Sequence, residues 1–99
     1  MKFRIAKQVF EDIEEIVNYI SIDSASNAQK VLNEIWNSIE QIECFPHSGS
    51  LLSNKIECKN SFRYVVKYSY AVIYKLLDDE IIISAVLHLK RDFNLMDFN

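Results

Sequence analysis

The stretch "FRYVVKYSYAVIYKLLDDEIIISAVLHL", residues 62–89, decides the fold. Its first part, 62–68, alternates: Phe62, Tyr64, Val66 and Tyr68 share one face, and Arg63, Val65 and Lys67 share the other. That period of two predicts a β-strand. "YAVIYKLL", 70–77, is β-branched and aromatic, suited to a central strand. "DDE", 78–80, has the size and polarity of a hairpin turn, and "IIISAVLHL", 81–89, reads as a strand buried on both faces. Ser69 alone separates the first two strands, so they too form a hairpin. Three consecutive hairpin-linked strands predict an antiparallel sheet.

Upstream, the period changes. "KFRIA", 2–6, is a short strand with Phe3 and Ile5 on one face. Phe10, Ile13, Val17 and Ile20 then recur at spacings of three and four, which predicts a helix with one apolar face. Glu11, Asp12, Glu14 and Glu15 form its solvated face, near the start where negative charge suits the helix dipole. "SIDSAS", 21–26, interrupts, with Asp23 or Ser24 able to cap a second helix. Ala28, Leu32, Ile35, Ile39 and Ile42 make that helix's stripe, widened by Val31, Trp36 and Phe45. The short link predicts an antiparallel helical hairpin. Pro46 ends it, Gly49 follows in "FPHSGS", and residues 47–61 read as an irregular loop pinned by Leu51, Leu52 and Ile56. The expected fold is α+β, ordered β-α-α-β-β-β. The helical hairpin covers one face of the antiparallel sheet, and the first strand joins an edge in a direction that is left open. Residues 1–99 form one domain in this reading.

Composition narrows the function. Hydrophobic residues make up 49% and charged residues 25%, which suits a soluble globular chain. The apolar runs are too short to cross a bilayer, and the N-terminus lacks a signal core, so a cytoplasmic location is expected. Net charge is −3, whereas proteins that grip phosphates are usually basic. The charge is uneven. Residues 1–54 carry four basic and eight acidic side chains; residues 55–91 carry seven basic and four acidic, a net of +3. The second half can therefore present a positive face. Cys44 and Cys58 stand outside any CxxC or metal-ligand spacing and read as free thiols, at least one of them buried; their separation also permits a disulfide. One glycine cannot build a phosphate loop, and no metal, cofactor or nucleophile motif is present.

Chemistry would thus rest on Arg63, His88 and Arg91. Arg63 opens a strand and can equally be a strand-edge charge or pair with a helix acid. His88 shares parity with Ile82, Ser84, Val86 and Lys90, and a histidine on an apolar face is more often structural than catalytic. Alternation turns Lys90 and Arg91 to opposite sides, which argues against one compact site unless the chain bends. Asp92 can pair with Arg91, and His47 reads as a loop residue.

The ordered combination of "EDIEEIVNYI", "AQKVLNEIWNSIEQI", "FPHSG", "FRYVVKYSYAVIYKL" and "ISAVLHLKRD" resembles the RelE/ParE superfamily of type II toxin–antitoxin toxins over nearly the whole chain. His88, Arg91 and Asp92 match an H-x-x-R-D ending common in its ParE branch, the plasmid-stabilisation toxins. The resemblance implies a bacterial toxin without cofactor or metal, neutralised by an antitoxin whose segment folds on binding. It leaves a homodimer or a toxin–antitoxin hetero-oligomer open. The ParE branch inhibits DNA gyrase by protein contacts, with Arg63, Lys67, His88, Lys90 and Arg91 as the partner-facing candidates here. The RelE branch cleaves mRNA on the ribosome, which needs several cations and an acid–base group on one site. Such members often carry an arginine where this chain has Tyr70-Ala71-Val72-Ile73-Tyr74, so the ParE-like reading is preferred and the endoribonuclease is the alternative. A third reading is a non-toxic member that retains only antitoxin binding. The positive 55–91 stretch and the acidic, apolar-striped helices are the two docking surfaces this reading offers.

Overall fold

The computed structural model describes residues 1–52 and 62–91. Strand β1 (Lys2–Ile5) leads into α1 (Lys7–Ser21) and α2 (Ala25–Cys44), then β2 (Ser50–Leu51), β3 (Phe62–Lys67), β4 (Tyr70–Leu76) and β5 (Glu80–His88). The strand order is β1-β5-β4-β3-β2. The three-strand meander is antiparallel as the alternation required, with register pairs such as Val65↔Val72 and Val72↔Val86. β1 settles the direction the sequence left open: it runs parallel to β5, Phe3 opposite Ile81, so the sheet is mixed. Residues 50 and 51, expected in an irregular loop, pair with Tyr64 and Arg63 as a short edge strand.

The helices form because each has one stripe to bury. α1 buries Val9, Ile13 and Ile16, and α2 buries Ala28, Ile35, Ser38, Ile39 and Ile42. Full burial of a side chain such as Ile35 or Ile42 is worth about 1.5–3 kcal/mol. The stripe of α1 is rotated from the expected one. Val9 and Ile16 lie at its centre, while Phe10 is half exposed and rests against Trp36 with ring centroids 5.8 Å apart. That contact lies symmetrically about the 22–24 link, as in an antiparallel hairpin. Ser24, rather than Asp23, caps α2 by accepting the Asn27 N–H at 3.2 Å. Phe45, read as part of the stripe, is exposed because it already stands at the C-cap, outside the helix. Leu52 is fully buried and Leu51 is exposed; Ile56 lies outside the described residues.

The sheet is apolar on both sides. Tyr70, Val72, Tyr74, Ile81, Ile83 and Val86 face the helices, and Ala71, Ile73 and Ala85 join Leu52, Phe62, Tyr64, Leu87 and Leu89 on the other face. The switch in β5 from odd to even positions has a local cause. Ile73 opposes Ala85 but Tyr74 opposes Ile83, so Ser84 is an extra residue, a β-bulge. No helix among the described residues is long and apolar enough to cross a membrane.

Candidate functional site

The three residues on which the sequence reading focused fall into two regions, at opposite ends of β4.

Arg63 stands opposite Tyr74 on the helix face of β3. Its Nη1 donates to the Gly49 carbonyl at 2.8 Å and to that of His47 at 3.4 Å. The fully buried Tyr74 completes this clamp: its hydroxyl donates to the Pro46 carbonyl at 2.7 Å and accepts the Gly49 N–H at 2.9 Å. Burial raises the Tyr74 phenol above its ordinary 10.0, against the opposing pull of the Gly49 N–H and Arg63. Glycine is required at 49 because a Cβ there would stand 2.4 Å from the Tyr74 hydroxyl oxygen. Arg63 therefore holds the turn that follows α2, rather than bridging to a helix acid. His47 and Arg63 do line a surface cavity of about 310 Å³ with Met1, Leu51, Leu76, Leu77 and Asp78.

At the other end, the bulge at Ser84 corrects the expected parity of β5. His88 belongs with Ile81, Ile83 and Val86 on the helix face, not with Ile82 and Ser84. It opposes Tyr70, edge-on, with ring centroids 5.5 Å apart. The strand stops there. His88 Nδ1 accepts the backbone N–H groups of Lys90 at 3.2 Å and Arg91 at 3.3 Å, so the chain turns. In the neutral ring this fixes the proton on Nε2. The turn is also fastened to the β3–β4 loop by a 2.9 Å bond from the Leu89 N–H to the Ser69 carbonyl.

The bend brings Arg91 back beside His88, which overturns the separation that plain alternation predicts. Glu15, Ile16, Tyr19, Tyr70, His88 and Arg91 line one cleft of about 160 Å³. Arg91 Nη2 lies 3.6 Å from Glu15 Oε1, an exposed pair of little energetic weight. Tyr70 is held above its ordinary 10.0 mainly by burial, with Arg91 opposing. Lys90 is exposed. Lys67, at the end of β3, reaches Glu34 of α2 at 3.1 Å.

Three features of this end escaped the sequence reading. Asp12 is not simply part of a solvated face: its Oδ2 accepts the Val86 N–H at 3.0 Å, capping β5 beyond the end of its pairing with β1. Tyr19 and Tyr70 complete the cleft. Only the position of Tyr19, one helical turn from Glu15 on α1, could have flagged it beforehand. Cys44 is an exposed free thiol; Cys58, on which the expectation of a buried thiol then rests, and Asp92 lie outside the described residues. Among the described residues no group of three or more His, Cys, Asp or Glu side chains could hold a metal.

A two-helix hairpin on one face of a five-stranded mixed sheet is the fold of a solved structure titled "Chromosomal ParDE TA system from P. aeruginosa". The likeness has a TM-score of 0.70 at 13% identity and covers 90% of this chain and 96% of that one. The sequence itself matches the family described as "ParE toxin of type II toxin-antitoxin system, parDE" over residues 3–93, and the chain belongs to that family. No curated protein matches it.

Proposed function

We propose that this toxin arrests growth by binding DNA gyrase, without catalysis of its own, and that a cognate antitoxin neutralises it. Membership of the ParE family supports the toxin role. The observation that carries the choice of target class is the separation of Arg63 from His88 and Arg91. Arg63 is engaged by the carbonyls of the 47–49 turn, opposite Tyr74, whereas His88 and Arg91 gather opposite Tyr70. Four strand positions separate those tyrosines, about 13 Å at the usual rise. In-line cleavage of RNA spreads charge over a phosphorane-like centre and needs cations converging within hydrogen-bond reach of it. Arg63 cannot serve a centre at His88. A protein-binding surface needs no such convergence.

One observation favours the mRNA endoribonuclease as the second reading. His88, Arg91 and two phenols do share a cleft, and a histidine beside an arginine could move a proton next to a bound phosphate. In that cleft, however, His88 Nδ1 already accepts two backbone N–H groups.

Induced expression of the chain, without its antitoxin, separates the two. The gyrase reading expects growth arrest with a DNA-damage response and intact transcripts. Transcripts cut at translated codons in arrested cells, seen by primer extension, would establish the nuclease instead. Arrest relieved by co-expression of a candidate antitoxin would support the antitoxin part.

A further inference from the structure

The cleft at His88 continues past Tyr70 onto a surface with features of its own. Tyr68 and Ser69 are the whole loop between β3 and β4, since Lys67 pairs with Tyr70. Tyr68 is the one non-glycine residue with positive φ among the described residues, at 55°. The first central position of a two-residue hairpin turn with this pattern ordinarily takes glycine. A tyrosine there holds strained backbone, yet its side chain remains 49% exposed and so gains only partial burial. The fold alone gives no reason for tyrosine at this position, and such strain tends to collect at functional surfaces.

The surroundings suggest what the ring meets. Tyr68, Ser69, Lys30 and Asn27 rim a cavity of about 310 Å³ whose floor includes Ile20, Val31 and Tyr70. The Lys30 ammonium lies 5.8 Å from the Tyr68 ring centroid and that of Lys67 lies 5.5 Å away. Both are within cation–π range. Lys30 makes no ion pair among the described residues, whereas the neighbouring Lys67 and Arg91 hold the carboxylates of Glu34 and Glu15. The cations of this end thus already take carboxylates, in one half-buried pair and in one exposed pair that a partner could exchange at small cost. An apolar floor, a projecting aromatic ring and a lysine without a carboxylate are the elements of a protein-binding hot spot.

We propose that the β3–β4 hairpin tip is a docking site for an acidic peptide segment. Its carboxylate meets Lys30 and its leucine-like side chain enters the cavity beside Tyr68. A protein segment is favoured over a nucleic-acid strand because the cavity floor is aliphatic as well as aromatic, with Ile20 and Val31 beside Tyr70. The site stands whichever cellular target the toxin has.

The test is an NMR titration of the full-length, isotope-labelled toxin with a decapeptide of alternating glutamate and leucine. A lysine–leucine peptide and a ten-nucleotide thymidine strand serve as the other arms. The glutamate–leucine peptide is expected to shift the amides of Lys30, Tyr68, Ser69 and Tyr70. Its affinity should fall at least fivefold in Lys30→Glu and in Tyr68→Ala, and stay within twofold in Tyr68→Phe. Tyr68→Gly separates function from folding: it should raise the melting temperature by releasing the strain and still lose the peptide. Shifts located elsewhere, no binding, or equal binding of the lysine–leucine peptide would overturn the proposal. So would tighter binding of the thymidine strand at the same amides, which would make the tip a nucleic-acid platform. Unchanged affinity in Tyr68→Gly would overturn the role of the ring.

Discussion

The two ends of β4 use similar residues for opposite purposes. At Tyr74 the phenol is fully buried, and with Arg63 it ties down the backbone between Pro46 and Gly49. At Tyr70 the neighbouring arginine lies at the surface, its carboxylate partner is exposed, and clefts open on both sides of the ring. An arginine close to a tyrosine therefore does not define a site. What distinguishes the ends is the arginine: the chain's own backbone carbonyls hold Arg63, whereas Arg91 meets an exposed carboxylate. The first end holds the fold, and we propose that the second is the partner-facing one.

Variants can break this contrast, and the largest effects belong to the clamp. Tyr74→Ala removes a fully buried aromatic side chain and should cost about 3–5 kcal/mol in a urea titration. Tyr74→Phe keeps the ring but leaves the Gly49 N–H without its acceptor, an expected loss of about 1–3 kcal/mol. Gly49→Ala forces a methyl into the Tyr74 hydroxyl and should cost a similar amount, about 1–3 kcal/mol.

Alkaline unfolding sharpens the same point. The folded-state pKa of Tyr74 lies above the ordinary 10.0, so the folded chain binds that proton more tightly than the unfolded chain does. The stability this represents is fully present below pH 10.0 and is lost as pH rises through the folded-state value. Tyr74→Phe, although less stable at neutral pH, should therefore lose stability less steeply above pH 10.0 than the parent. Equal slopes in denaturant titrations across that window would contradict the assignment.

Smaller losses are expected at the partner-facing end. Asp12→Ala removes the acceptor of the Val86 N–H and should cost about 1 kcal/mol. For Arg91→Ala the expected change is within about 0.5 kcal/mol, because its pair with Glu15 is exposed. His88→Asn discriminates between two roles of the imidazole. An amide oxygen can accept the Lys90 and Arg91 N–H groups as Nδ1 does but cannot shuttle a proton. Growth arrest should survive His88→Asn if the ring acts as a turn cap, and disappear if it is an acid or base.

Much of the fold was legible because periodicity reports burial directly. The stripe from Ala28 to Ile42 had one face to hide, and α2 follows from it; the alternation of 62–68 marked β3 as a strand, although its burial does not alternate. The site was less legible, and Ser84 shows why. One bulged residue in a run of apolar side chains leaves no mark in composition, yet it reverses the facing of everything after it. The separation of His88 from Arg91 failed for another reason, because the strand ends at His88 and alternation no longer applies beyond it. The turn that reunites them depends on a side chain accepting backbone N–H groups two and three residues on, which no apolar pattern encodes. Long-range polar contacts were equally silent. Arg63 to Gly49 spans 14 residues and Asp12 to Val86 spans 74. The family ending in His88 and Arg91 picked out two residues that line one cleft, whereas plain alternation set them apart.

The most direct test of the account is a supercoiling assay with purified gyrase, the parent toxin and two variants confirmed as folded, Arg91→Ala and Lys75→Ala. Lys75 lies on β4 facing Phe62, away from the partner-facing end, and serves as the control. The account predicts that the parent and Lys75→Ala trap cleaved DNA with gyrase at similar concentrations, and that Arg91→Ala needs at least tenfold more. Intact supercoiling at saturating parent toxin would contradict the gyrase assignment. Undiminished trapping by Arg91→Ala would contradict the division of the molecule into a structural end and a partner-facing one.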